Sequence, residues 1–331
     1  MRRIFLAAWL LAAPPGFGQD QFDVTGLDGS NGFVLRGDGA ETRTGEDLAA
    51  LGDFNGDGID DLAVASPNFD FEDFSRAYIV FGQSTSVPAL RALSGLGGSG
   101  GGLSLFDGRP LSRGPAFGQQ VAGGGDLNGD GWNDIAVESD QGVYVFYGQS
   151  GPSFTRDVAN LDGENGFSVS GLISPTFSSV DLVADLNGDR QGDLLLGAGQ
   201  GLGAVYAFFG SSLPVAVNRT PAVLSGDNGF AVDGLRMNDN FGGGVVGAGD
   251  FNADGLSDFA MSASGNGSTG EDAGYLIYGF DDPLVSRLGI NFSFGDDGGF
   301  AVTDVGAGAS TTGPVGAGGD FNGDGFSDFL L

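Results

Sequence analysis

One nine-residue acidic loop recurs five times and points to both the chemistry and the organisation of a 331-residue chain. Asp, Asn, Asp and Asp occupy its positions one, three, five and nine, and position seven varies. The copies are Asp53, Asn55, Asp57, Ile59 and Asp61; Asp126, Asn128, Asp130, Trp132 and Asp134; Asp185, Asn187, Asp189, Gln191 and Asp193; Asp250, Asn252, Asp254, Leu256 and Asp258; and Asp320, Asn322, Asp324, Phe326 and Asp328. Hard oxygen donors at alternate positions are how a chain strings ligands around calcium, with the backbone carbonyl of position seven as fifth donor. Up to five Ca2+ ions are expected.

An EF-hand would need Glu at position twelve. Val64, Val137, Leu196, Met261 and Leu331 stand there, so that reading fails in every copy, and dockerin-type loops fail with it. For any one loop an Asx-rich turn without an ion is the alternative; five copies in register weigh against it. Arg190 replaces the turn glycine of the third loop, where a left-handed residue with a side chain costs about 1–2 kcal/mol. That loop is expected to be the weakest.

Charge and composition narrow the function. With 43 Asp+Glu against 13 Lys+Arg the net charge is −30, and the five loops hold three Asp each, so five Ca2+ would leave about −20. Nucleic acid is excluded as a partner, since phosphate neutralisation needs a basic surface; the acidity suits a salty or calcium-rich medium. No Cys means no disulfide or thiolate site, and no His means no imidazole base, no Ser-His-Asp triad and no His-ligated zinc. A non-enzymatic role follows, with no catalytic residues assigned.

Arg2-Arg3, the apolar run Ile4 to Ala13 and the small-residue stretch ending at Gly18 match a secretory signal peptide over residues 1–18. The run is too short to span a bilayer, and no later stretch is apolar enough. A secreted or cell-surface protein is expected, with the periplasm as an alternative.

The loops start 73, 59, 65 and 70 residues apart, and their neighbours repeat too. A Gly-rich stretch such as Gly244 to Gly249 precedes each loop, and a short strand such as Leu62 to Ala65 follows. Then comes an aromatic strand: Tyr78 to Gly82, Tyr144 to Gly148, Tyr206 to Gly210 and Tyr275 to Gly279 align without gaps. Asn31-Gly32-Phe33, Asn165-Gly166-Phe167, Asn228-Gly229-Phe230 and Gly298-Gly299-Phe300 mark a fourth strand, with Gly101-Gly102-Leu103 a degenerate copy. Four short strands per unit with Gly/Asp/Asn turns predict an all-β propeller of four-stranded blades.

These loops, with Phe117-Gly118 and Phe241-Gly242 ahead of them, resemble FG-GAP repeats over nearly everything after residue 28. The first, third and fifth units depart from the pair with Thr44-Gly45, Phe177-Ser178 and Thr312-Gly313. The resemblance implies the calcium-binding β-propeller of integrin alpha subunits and of many bacterial secreted proteins. It places each loop between the innermost and second strands of a blade, and has the strand around Phe33 complete the last blade. The family's usual seven blades make residues 19–331, about four and a half blades, read as a C-terminally incomplete fragment.

The resemblance implies an extracellular adhesion or protein-interaction module with a protein or glycan ligand. The alternative is an accessory or targeting propeller of a larger secreted hydrolase whose catalytic domain lies beyond Leu331. A self-contained enzyme is the weakest reading, because the carboxylates are committed to metal. Arg36-Gly37-Asp38 is a tripeptide that a Gly- and Asp-rich chain produces easily and receives no role. The sequons at Asn218, Asn266 and Asn291 would matter only in a eukaryotic secretory path. The repeated Tyr and Phe are read as core rather than as a ligand platform.

Overall fold

The computed structural model describes residues 24–37, 43–67, 75–98, 101–108, 117–150, 157–171, 178–234, 237–263, 273–281, 286–289, 298–303, 316–320 and 322–330. The expected leader at 1–18, Asp38, Phe177, Thr312-Gly313, Asn266, Asn291, Phe321 and Leu331 lie outside them. No described helix is long and apolar enough to cross a membrane. Among the described residues the only helical pieces are 3-10 turns such as Leu93–Gly98 and Val158–Asn160.

Four antiparallel meanders follow one another. Blade one runs Leu48–Gly52, Asp61–Ser66, Arg76–Val80 and Gly102–Phe106. Blade two runs Val121–Gly123, Ile135–Ser139, Gly142–Phe146 and Gly166–Val169. Blade three runs Ser179–Val183, Asp193–Ala198, Ala204–Phe209 and Gly229–Asp233. Blade four runs Val245–Gly249, Asp258–Ala263, Ala273–Ile277 and Gly299–Thr303. Gly316–Gly319 paired with Asp328–Leu330 begins a fifth. First strands of successive blades lie beside one another, so the sheets radiate from a shared centre as in a β-propeller. Glycine permits the approach: a Cβ on Gly247 would come 2.5 Å from the Val183 side chain.

The middle strands carry Val, Ile, Phe, Tyr and Leu, which suit a pleated surface. They are buried along nearly their whole length, because a neighbouring blade covers each face; this is why they lack polar alternation. Position two of the acidic loops plugs each of these seams. Phe54, Leu127 and Leu186, at most 1% exposed, sit in the cores shared by blades one and two, two and three, and three and four.

The Phe-Gly pairs lock the same seams. Phe117 and Phe241 are buried against Tyr144 and Tyr275, with ring centroids 6.0 and 5.7 Å apart. Gly118 and Gly242 both have φ of 77°, and a Cβ on either would come 2.5 Å from a carbonyl of the preceding blade's third strand, Arg76 or Ala204. Where Thr44 stands in for Phe, its hydroxyl instead meets that of Ser66 at 2.7 Å.

The structure adds a fifth element to the expected four. Leu90–Ala92 pairs in parallel with Val34–Arg36, Asn218–Arg219 with the fourth strand of blade two, and Arg287–Gly289 with that of blade three. Asp157 makes a single parallel bridge to Phe106 of blade one. In each case the segment after one blade's third strand covers the outer edge of the blade before it. An outer strand otherwise presents unpaired N–H and C=O groups, and this clasp satisfies part of that edge. Val34–Arg36 thus takes the place of an outer strand of a blade preceding blade one.

Candidate functional site: five acidic loops

Each loop joins the first and second strands of its blade, all at one end of the propeller. A shared core of hydrogen bonds builds all five. In the first loop Asp53 Oδ1 accepts from the N–H groups of Gly56 and Asp57, and Oδ2 from Gly58, at 2.8, 3.0 and 2.8 Å. Asn55 Oδ1 accepts from Asp57 N, its Nδ2 donates to Asp57 Oδ2, and Asp57 Oδ1 accepts from Ile59 N. The corresponding bonds of position one to positions five and six recur around Asp126, Asp185, Asp250 and Asp320.

Position nine works differently. Asp61, Asp134, Asp193 and Asp258 are at most 1% exposed. One oxygen of each accepts from the N–H of position two, and the other from the glycine that ends the third strand: Gly82, Gly148, Gly210 or Gly279. The repeated spacing Tyr-x-x-aromatic-Gly therefore ends on a backbone donor for a buried carboxylate, a role that the motif alone did not reveal. Burial pushes Asp61 and Asp258 up to about 6 and holds Asp134 and Asp193 well above the ordinary carboxylate range. The other loop carboxylates add to this by repulsion: Asp126 and Asp130 act on Asp134, and Asp189 and Asp185 on Asp193.

Arg190 has φ of 70°, the strained left-handed conformation expected from its position, yet its N–H still donates to Asp185 Oδ2 at 2.7 Å. Ala253, at position four of the fourth loop, has φ of 59° and is a second strained site. The glycines at the matching positions 56, 129, 188 and 323 are the signal that would have found it.

The donor set of each loop is all hard oxygen and carries three formal negative charges, which fits calcium by chemistry. Among the described residues, though, no three carboxylates close around one point. The backbone N–H groups of the loops hold the Asp oxygens instead, so the Asn amide oxygens and the carbonyls of Ile59, Trp132, Gln191, Leu256 and Phe326 would be needed to complete a shell. Gln191 Oε1 is buried with no hydrogen-bond partner.

Comparison with known proteins agrees with the geometry. A family model described as FG-GAP repeat matches residues 44–80 and 117–149, the first three strands of blades one and two with their loops. Integrin alpha-PS2 of Drosophila melanogaster is 34% identical over 147 residues, 43% of this chain and 10% of that protein. Integrin alpha-5 of Xenopus laevis is 30% identical over 164 residues, 44% of this chain and 14% of that protein. Integrin alpha-7 of Homo sapiens is 32% identical over 161 residues, 45% and 12% respectively. The matches thus span about a tenth to a seventh of these relatives. Its repeated loops, four-stranded blades and Phe-Gly seams are thus similar to FG-GAP repeats, matched over blades one and two, and to part of integrin alpha subunits.

Proposed function

We propose that this propeller is an exported, calcium-stabilised module that presents its loops to an extracellular protein or glycan and catalyses nothing itself. The observation that carries the reading is the fivefold repetition of one all-oxygen donor set at one end of the blades. Three Asp, one Asn and the position-seven carbonyl of each loop would hold the ion. A bound Ca2+ supplies the positive charge that these crowded, partly buried carboxylates otherwise lack. The leader at 1–18 supports export, and the similarity to integrin alpha subunits supports an adhesive or interaction role.

Calcium at a hundredfold above its dissociation constant stabilises a one-site fold by about 2.7 kcal/mol. Several filled loops would rival the roughly 5–15 kcal/mol margin of a typical domain. Melting curves in millimolar Ca2+ and in chelator should therefore lie far apart. Coincident curves would remove calcium from this reading.

A further inference from the structure

We propose that the acidic loops are coupled in series, so that filling one loop raises the affinity of its neighbours. This inference rests on the calcium reading above, and three threads of contact between successive loops carry it.

The first thread starts from the residue that opens each loop. Asp53, whose carboxylate organises loop one, uses its carbonyl to accept from Asn133 N of loop two at 3.1 Å. Asp126 does the same for Gly192 of loop three, and Asp185 for Ser257 of loop four, both at 2.7 Å. One residue therefore serves its own loop through its side chain and the next loop through its backbone. The acceptor's partner is position eight, directly ahead of the buried position-nine Asp.

The second thread runs through position two. The carbonyls of Phe54, Leu127 and Leu186 accept from Gln149, Ser211 and Phe280 at 3.0, 2.7 and 2.9 Å, beyond the glycine that holds the next blade's position-nine carboxylate. The third thread is steric. A Cβ on Gly56 would come 2.5 Å from Trp132 Nε1, one on Gly129 3.3 Å from Gln191 Cγ, and one on Gly188 3.7 Å from Leu256 Cδ2. Position seven of each loop thus lies against position four of the loop before.

Ordering loop one fixes the carbonyls of Asp53 and Phe54, and with them the backbone that presents Asp134. A second ion then meets a loop whose ordering cost is already partly met, which is positive coupling without a large change of shape.

The test is a calorimetric Ca2+ titration of the full chain and of two variants. Asp130→Asn disables loop two, and Trp132→Ala removes the side-chain contact onto Gly56 while keeping every side-chain donor. The wild type is expected to titrate with a Hill coefficient above one. Asp130→Asn should lose one site and weaken those remaining by about fivefold or more, the lower end of ordinary allosteric coupling. Trp132→Ala should lower the Hill coefficient. Should Asp130→Asn fail to fold, Trp132→Ala decides alone. Independent sites in the wild type, with neighbours unmoved in both variants, would overturn the coupling and leave calcium binding standing. Absence of any binding heat or calcium-dependent melting in the wild type would overturn both.

Discussion

The guanidinium of Arg219 lies over the ring of Phe167, 5.2 Å from its centroid, and so joins blade three to the outer strand of blade two. Arg219 is 8% exposed, donates to the carbonyls of Phe209 and Asn228 at 2.9 Å each, and also covers Phe208. Arg91 repeats the arrangement two seams earlier, over Phe33 and donating to Gly101. Arg287 varies it with an ion pair to Asp233.

Arg219→Ala is expected to remove the side-chain donor of the Phe209 carbonyl, leave the Asn228 carbonyl with Phe209 N alone, and remove the stacked cation. A lost bond from a buried charged donor costs about 1–3 kcal/mol, so a loss of that order in chemical denaturation is expected. Arg219→Lys should recover less than half, because an ammonium cannot reproduce a planar, stacked fork.

The two kinds of loop carboxylate should separate experimentally. Asp193→Asn turns an amide NH2 toward either Leu186 N or Gly210 N, both donors, and should cost about 1–3 kcal/mol in chelator and more in calcium, where a ligand is lost as well. Asp189→Asn leaves that clamp intact. Its effect should emerge only in calcium, as a smaller stabilisation on titration.

Arg190→Gly relieves a left-handed residue and removes a positive charge from the third loop. A gain of about 1 kcal/mol is expected in chelator, and a larger one in calcium. Denaturation midpoints under the two conditions check both parts. Ala253→Gly should give the chelator gain alone.

Glu138 shares the pH dependence with the buried position-nine carboxylates and can be tested apart from the loops. It is 2% exposed on the second strand of blade two, and burial pushes its carboxyl from 4.5 up to about 7, opposed by a hydrogen bond from Gln120 and aided by the charge of Asp47. The folded value lies above the unfolded one. Its stabilising share is therefore complete below about 4.5 and is lost as pH rises through about 7. Calcium-free protein should lose on the order of 2 kcal/mol between pH 5 and 8.5 from this group, and Glu138→Gln should flatten that part of the curve. An unchanged slope in the variant would assign the pH dependence elsewhere.

Much of the architecture was legible in the sequence because its signals are local and repeated. The strands that follow Asp61 and Asp193, and the aromatic strands at Tyr78 and Tyr206, stand where the motifs place them. The clasp was not legible, since Asn218–Arg219 is two residues long and gains its pairing from a strand 50 residues earlier in sequence. Its trace was present as arginine: Arg91 and Arg219 follow the strand tyrosines Tyr78 and Tyr206 by 13 residues. The loops were legible as donor sets, but not the way backbone N–H groups hold their carboxylates. That division of labour between Asp53 and Asp61 depends on Gly82, 21 residues away from the carboxylate it serves.

The parallel clasp also bears on how such a chain can grow. Blade three carries both halves of the joint: Arg219 reaches back to the blade before, and its outer strand receives Arg287–Gly289 of the blade after. Any copy with both halves can stand next to any other. Tandem duplication of a whole copy would then lengthen the array without a new interface, whereas a break between third and fourth strands would divide one blade and unfasten its neighbour at a single stroke.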